Sequence, residues 1–152
     1  MAPSGKLTTL YSFCAQTKCA DGEDPQAGLV LGTDGWLYGT TVLGGTAGAG
    51  TIFRINPGGA LKTLYSFCGK PNRADGERPF AALVLGTDAN FYGVTDSGGA
   101  DGYGTIFKIT QGGALTTLHS FNGTDGANPL GGLCQATDWE FLRDNYCGRR
   151  QQ

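Results

Sequence analysis

Residues 7–60 align without gaps on residues 61–114, an offset of 54, with 33 identities. No other feature constrains the fold as strongly, because a long internal repeat implies one supersecondary unit stacked on copies of itself. Leu-x-Thr-Leu-Tyr-Ser-Phe-Cys at 7–14 returns at 61–68, and Leu-Val-Leu-Gly-Thr-Asp at 29–34 returns at 83–88. A third copy opens at Leu115, shortens its next loop by four residues and resumes at Asp125-Gly126-Ala127-Asn128-Pro129.

Each unit holds four strand-like runs, Gly28–Thr33, Trp36–Val42, Thr51–Asn56 and Leu61–Phe67 in the first. They are rich in β-branched and aromatic residues and bounded by Gly, Asp and Pro. Gly makes up 27 of 152 residues, about 18% where roughly 7% is usual, as many tight turns require. Asp34-Gly35 predicts a type I′ hairpin turn, and Pro57-Gly58-Gly59 closes the third and fourth runs. No helical period of useful length occurs, so the chain is expected to be all-β. Four antiparallel strands per repeat describe a β-propeller blade, with a β-solenoid as the alternative. Leu29-Val30-Leu31 is apolar on both faces, as suits an inner strand between neighbouring blades.

In that phase Leu7–Phe13 is the outer strand of a preceding blade, 28–67 and 82–121 are whole blades, and another begins at Gly131. The lone outer strand would complete the last blade. Three blades fall short of the roughly four to eight that close a ring, so two chains making six are expected to associate through their exposed strand edges. Residues 1–138 form a single repeat domain, with units 7–60, 61–114 and a partial 115–138. After Asp138 the repeat stops. Trp139 has only the codon TGG, and dropping its first base lets permitted codons resume Gly-Asn-Phe-Tyr-Gly-Thr-Thr. The hypothesis is a one-base insertion that puts 139–152 out of frame; coding DNA whose other frame encodes nothing repeat-like would refute it. The alternative is a divergent cap.

The elements L-x-x-L-x-S-F, D-G-x-x-P, D-G-x-x-Y-G-T-T, G-G and G-T-x-F-K-I stand at 7–13, 21–25, 34–41, 44–45 and 50–55, the last with Arg54 in place of the Lys. They resemble the bacterial GloVer tandem repeat over about residues 3–138. The resemblance implies a blade-like fold and a secreted or cell-surface setting. It carries no activity and no catalytic residues.

The formal net charge is −2 with no basic run, which lacks the electrostatic footprint of a nucleic-acid or membrane-surface binder. No run of 18 apolar residues predicts a membrane span, and the N-terminal residues read as repeat rather than as a signal peptide. Of five cysteines, Cys14 and Cys19 share one loop and are a candidate local disulfide. Cys68 has Arg73 where that partner would be, so a free thiol is expected. Cys134 stands at the Val30/Val84 position and reads as a small core residue. Metal is not expected, since no zinc pattern completes itself.

Strand alternation puts the long loops, Cys14–Gln26 and Gly44–Gly50, on one face, where binding concentrates on rigid scaffolds. Asp21, Glu23, Asp75, Glu77 and Asp125 are the candidate ligand-binding residues of that face, suited to sugar hydroxyls or calcium. The competing reading makes the Asp-Gly pairs Asx-type turns, and their spacing is not that of an EF-hand. Gly44-Gly45-x-x-Gly48-x-Gly50 lacks the Lys and helix of a phosphate loop, and no cofactor is expected. Trp36 could stack on a sugar or simply fill a turn. His119 and Ser120 are strand neighbours pointing to opposite faces, a poor nucleophile–base pair. The expectation is a non-enzymatic extracellular scaffold. A carbohydrate-binding lectin-like propeller is the rival, and a hydrolase using two carboxylates is a third class.

Overall fold

The computed structural model describes residues 5–135. They form eight strands: β1 (Val30–Leu31), β2 (Leu37–Thr41), β3 (Thr51–Ile55), β4 (Leu61–Ser66), β5 (Val84–Leu85), β6 (Phe91–Thr95), β7 (Thr105–Ile109) and β8 (Leu115–Ser120). These make two four-stranded antiparallel sheets, β1-β2-β3-β4 and β5-β6-β7-β8. The protein is all-β, and each up-and-down, blade-type sheet takes three strands from one unit and its fourth from the start of the next. Single 3-10 turns at Thr17–Cys19 and Pro71–Arg73 are the described helical elements.

The sheets stack face to face. Adjacent residues of a strand point to opposite faces, so Tyr38 faces the second sheet while Leu37 faces away. The Tyr38 ring stacks on Phe91 with centroids 4.1 Å apart, and Thr40 Oγ1 donates to the Ala81 carbonyl at 3.4 Å. Phe67 then packs edge-on against Phe107 at 5.4 Å. Tyr38, Phe67, Phe91 and Phe107 are fully buried and anchor one core that runs through both sheets.

Three expectations need correction. The inner strands are two residues long rather than six, because only Val30–Leu31 and Val84–Leu85 pair with β2 and β6. The Asp34-Gly35 turn is a three-residue loop. Gly32 N–H donates to Trp36 O at 2.8 Å and Gly35 N–H to Gly32 O at 3.2 Å, and only Gly35 has positive φ. Its counterpart Ala89 takes the same left-handed conformation, at φ 61°. Segment 7–13 joins no sheet among the described residues.

That segment nevertheless packs as an outer strand does. Phe13 lies 4.9 Å edge-on to Phe53, as Phe67 does to Phe107. A Cβ on Gly59 would fall 2.6 Å from Leu10 O, and one on Gly113 2.8 Å from Leu64 O. The turn glycine is therefore fixed by the outer strand of the preceding blade. At the other end Cys134 is exposed, not in the core. Residues 139–152, including the proposed out-of-frame stretch, lie outside the described residues.

Candidate functional site

The two long loops of each unit meet at one end of its sheet. Glu23 pairs with Leu43 and Glu77 with Ser97 as isolated antiparallel bridges. Gly45 N–H donates to Cys19 O at 2.9 Å and Gly99 N–H to Arg73 O at 2.9 Å, the same bond one repeat on.

An inward-facing carboxylate holds each first loop in shape. Asp21 accepts from Tyr11 Oη at 2.8 Å and from the backbone N–H groups of Ala15 and Gln16 at 3.0 and 3.1 Å. Asp75 accepts likewise from Tyr65 Oη and from Gly69 and Lys70 N–H. In the third copy Asp125 takes His119 Nε2 at 2.7 Å and Asn122 N–H at 2.9 Å, so a histidine replaces the tyrosine and a shorter loop keeps the clamp. Asp21 and Asp75 are fully buried. Burial alone would raise the Asp21 pKa, but the bonds from Tyr11, Ala15 and Gln16 outweigh it and hold the carboxyl below its ordinary value. The bond to Asp21 raises Tyr11, and burial, reinforced by Asp75, raises Tyr65 strongly.

The glycine after each clamp is sterically required. A Cβ on Gly22 would lie 2.6 Å from Thr41 Oγ1, and one on Gly76 2.3 Å from Thr95 Oγ1. Those hydroxyls belong to buried pairs, Thr41–Thr51 and Thr95–Thr105, each 2.8 Å apart. The Asp-Gly motif is thus explained by internal wiring: the acid ties the loop to itself and the glycine seats it on the sheet.

Glu23 is exposed beside Leu43, whereas Glu77 accepts two bonds from Arg73 Nη1, at 3.0 and 3.1 Å. Glu77 lies on a cleft of about 750 Å³ between the units. The first unit contributes Leu43 and Ala47–Ala49, and the second contributes Cys68, Lys70, Asn72, Arg73, Glu77 and Arg78. Arg78 N–H donates to Ala49 O at 2.8 Å and joins the two walls.

A family model described as the Gloeobacter/Verrucomicrobia repeat matches residues 1–142. The chain belongs to that family. None of the curated proteins matches it.

In this Gloeobacter/Verrucomicrobia repeat chain the cleft brings Glu77 together with residues that the sequence reading passed over, above all Lys70, Arg73 and Arg78. A signal for them was present. Seven of the ten lining residues differ from their counterparts 54 positions away, whereas 33 of the 54 aligned positions are identical. Divergence between the copies gathers on this wall.

Cys14 and Cys19 are joined by a disulfide, and Cys68 is a free thiol. Burial, with Glu77 alongside, pushes the Cys68 thiol up to about 11, so it stays protonated at neutral pH. Trp36 is half-buried under the Arg54 guanidinium, 4.5 Å above its ring, and Arg54 also pairs with Asp34 at 3.2 Å. Among the described residues no three His, Cys, Asp or Glu side chains gather as a metal ion would need. No helix there is long and apolar enough to cross a membrane.

Proposed function

We propose that this chain is a non-enzymatic, extracellular-type recognition scaffold of propeller-like blades, which binds its ligand in the loop-face cleft between successive units. The cleft carries the reading: it is walled by loops from two units, and it is where the two copies differ most. Rigid clamps beneath variable loops are the arrangement expected of a scaffold that holds a binding surface. The Cys14–Cys19 disulfide supports an oxidising compartment. The clamp carboxylates favour binding over hydrolysis, because Asp21 and Asp75 are buried and committed to internal donors. Glycans are the first partner class to test.

A panel of neutral sugars, acidic sugars and small organic acids, read by thermal shift and by product analysis, tests this proposal. Stabilisation by one class, abolished by changes at Arg73 or Arg78 and untouched by changes at Thr33, supports it. Turnover of any member, or binding that maps to the opposite end, would falsify it.

Self-association is the second part of the proposal. The outer face of the first unit exposes Leu7, Leu29 and Leu31. The second unit covers its own Leu83 against a neighbouring sheet, so a further sheet is the natural cover for this face. Light scattering that finds a monomer at high concentration would count against association through it.

A further inference from the structure

The inter-unit cleft has a charge that its counterpart positions lack. Lys70, Arg73 and Arg78 line it against one carboxylate, Glu77, although the whole chain has a net charge of −2. Glu77 pairs with Arg73 and accepts from Cys68 Sγ at 3.5 Å, and among the described residues Lys70 and Arg78 belong to no ion pair. One repeat earlier those three positions are Gln16, Cys19 and Asp24, and the one cation among the counterparts, Lys18 at the place of Asn72, stands with two acids, Glu23 and Asp24. The excess of positive charge therefore belongs to this junction and not to the repeat.

Shape and lining narrow the occupant. At about 750 Å³ the cleft is the size of small-molecule sites. No aromatic side chain lines it, so it offers no platform for stacking bases or for an apolar ring. Asn72, the Glu77 carboxylate and the guanidinium groups suit hydroxyls and oxyanions, and Arg forks match planar carboxylates or tetrahedral sulfates and phosphates. Cys68, Asn72, Arg73 and Arg78 all hold left-handed φ between 55° and 62°, as their counterparts Cys14, Lys18, Cys19 and Asp24 do between 52° and 60°, so the loop's backbone belongs to the repeat and its side chains are what distinguish this cleft.

Building on the loop-face reading above, we propose that this cleft binds a small hydroxylated ligand through an oxyanion group, a carboxylate, sulfate or phosphate, with Arg78 and Lys70 as primary contacts. Arg73 is shared between the ligand and Glu77. Glu77 acts as a resident competitor, occupying Arg73 when the ligand is absent.

Titration calorimetry of the full chain with glucuronate, glucose 6-sulfate, inorganic phosphate and glucose tests the idea. At least one anionic probe should bind, more weakly as salt rises, and glucose should not. Arg78→Gln should weaken that binding about tenfold, the loss of one charge-assisted hydrogen bond. Lys18→Gln, on the equivalent loop of the first unit, should leave it unchanged. Glu77→Gln should tighten it severalfold by releasing Arg73, a gain that mere damage to the loop would not produce. Which anion binds best separates carboxylate, sulfate and phosphate sources. Glucose binding as well as glucuronate in this cleft would overturn the oxyanion proposal and leave the loop-face reading standing. Anion binding indifferent to Arg78 and Glu77 would overturn the proposal for this cleft. Silence from every probe would overturn both.

Discussion

The first and second units share their clamps, their threonine pairs and their strand registers, yet the same leucine has opposite fates in the two. Leu29 is 48% exposed and Leu83 is 3% exposed. Leu37 is half-buried where Phe91 is sealed, and Tyr38 is sealed where Tyr92 is half-buried. Every difference has one cause. Residues facing the junction between the two sheets are covered, and their counterparts facing outward are not. Local sequence builds the blade and the neighbour builds its core, which is the one-dimensional logic of a stacked repeat. The same logic places the site, since a cleft made by two units can specialise at one junction without disturbing the blades.

Substitutions at equivalent positions can break this comparison. The largest single loss should come from the aromatic plugs: Phe67→Ala is expected to cost about 4 kcal/mol and Phe13→Ala about half that, by urea unfolding. Equal losses would mean that segment 7–13 packs as fully as a true outer strand. Leu83→Ala should cost about 3 kcal/mol and Leu29→Ala less than about 1, because only the first creates a cavity. An appreciable loss at Leu29 would show that something covers the first unit's outer face in solution.

The clamps should instead behave alike in both units. Asp21→Ala and Asp75→Ala are each expected to cost about 2 to 3 kcal/mol, since each strands a tyrosine hydroxyl and two backbone donors. Unchanged melting with lost ligand binding would return these acids to a direct role in recognition. Smaller again is the Cys14–Cys19 disulfide, which has no counterpart at Cys68 in the second unit. Its reduction should cost about 2 kcal/mol in a loop this short and leave the second unit's clamp intact. Amide chemical shifts of Gly69 and Lys70 before and after reduction would show this.

The clamps also set the pH range. Asp21 and Asp34 are held below the ordinary carboxylate value, so their stabilisation is present above about pH 4 and fades as pH falls through the lowered values. Tyr11 and Tyr65 are raised, so their contribution is full below about pH 10 and is lost as pH climbs toward the raised values. Thermal midpoints should form a plateau between those limits. A midpoint that falls steadily from pH 5 to 8 would point to other groups.

The blade phase was legible in the sequence because it follows from the repeat: 28–67 and 82–121 enclose sheets spanning 30–66 and 84–120. The short inner strands were not. Leu29-Val30-Leu31 has strand composition throughout, and pairing stops where the three-residue loop turns the chain at Gly32. The clamp was half legible. The repeat makes Tyr11, Tyr65 and His119 equivalent, but their bonds to Asp21, Asp75 and Asp125 bridge a loop of variable length, which strand alternation cannot reveal. The cleft was the least legible part, because its residues come from two units and its signal is how the copies differ, not what they share.

The most direct test of the neighbour account is residue-resolved hydrogen exchange in the native state. Amides of β6 and β7 should exchange more slowly than their counterparts in β2 and β3, with the clamp-bound amides of Gly69 and Lys70 protected in step with the strands they serve. Equal protection of the two sheets, or slower exchange in the first, would mean that the blades are stabilised by their own sequence and not by what lies beside them.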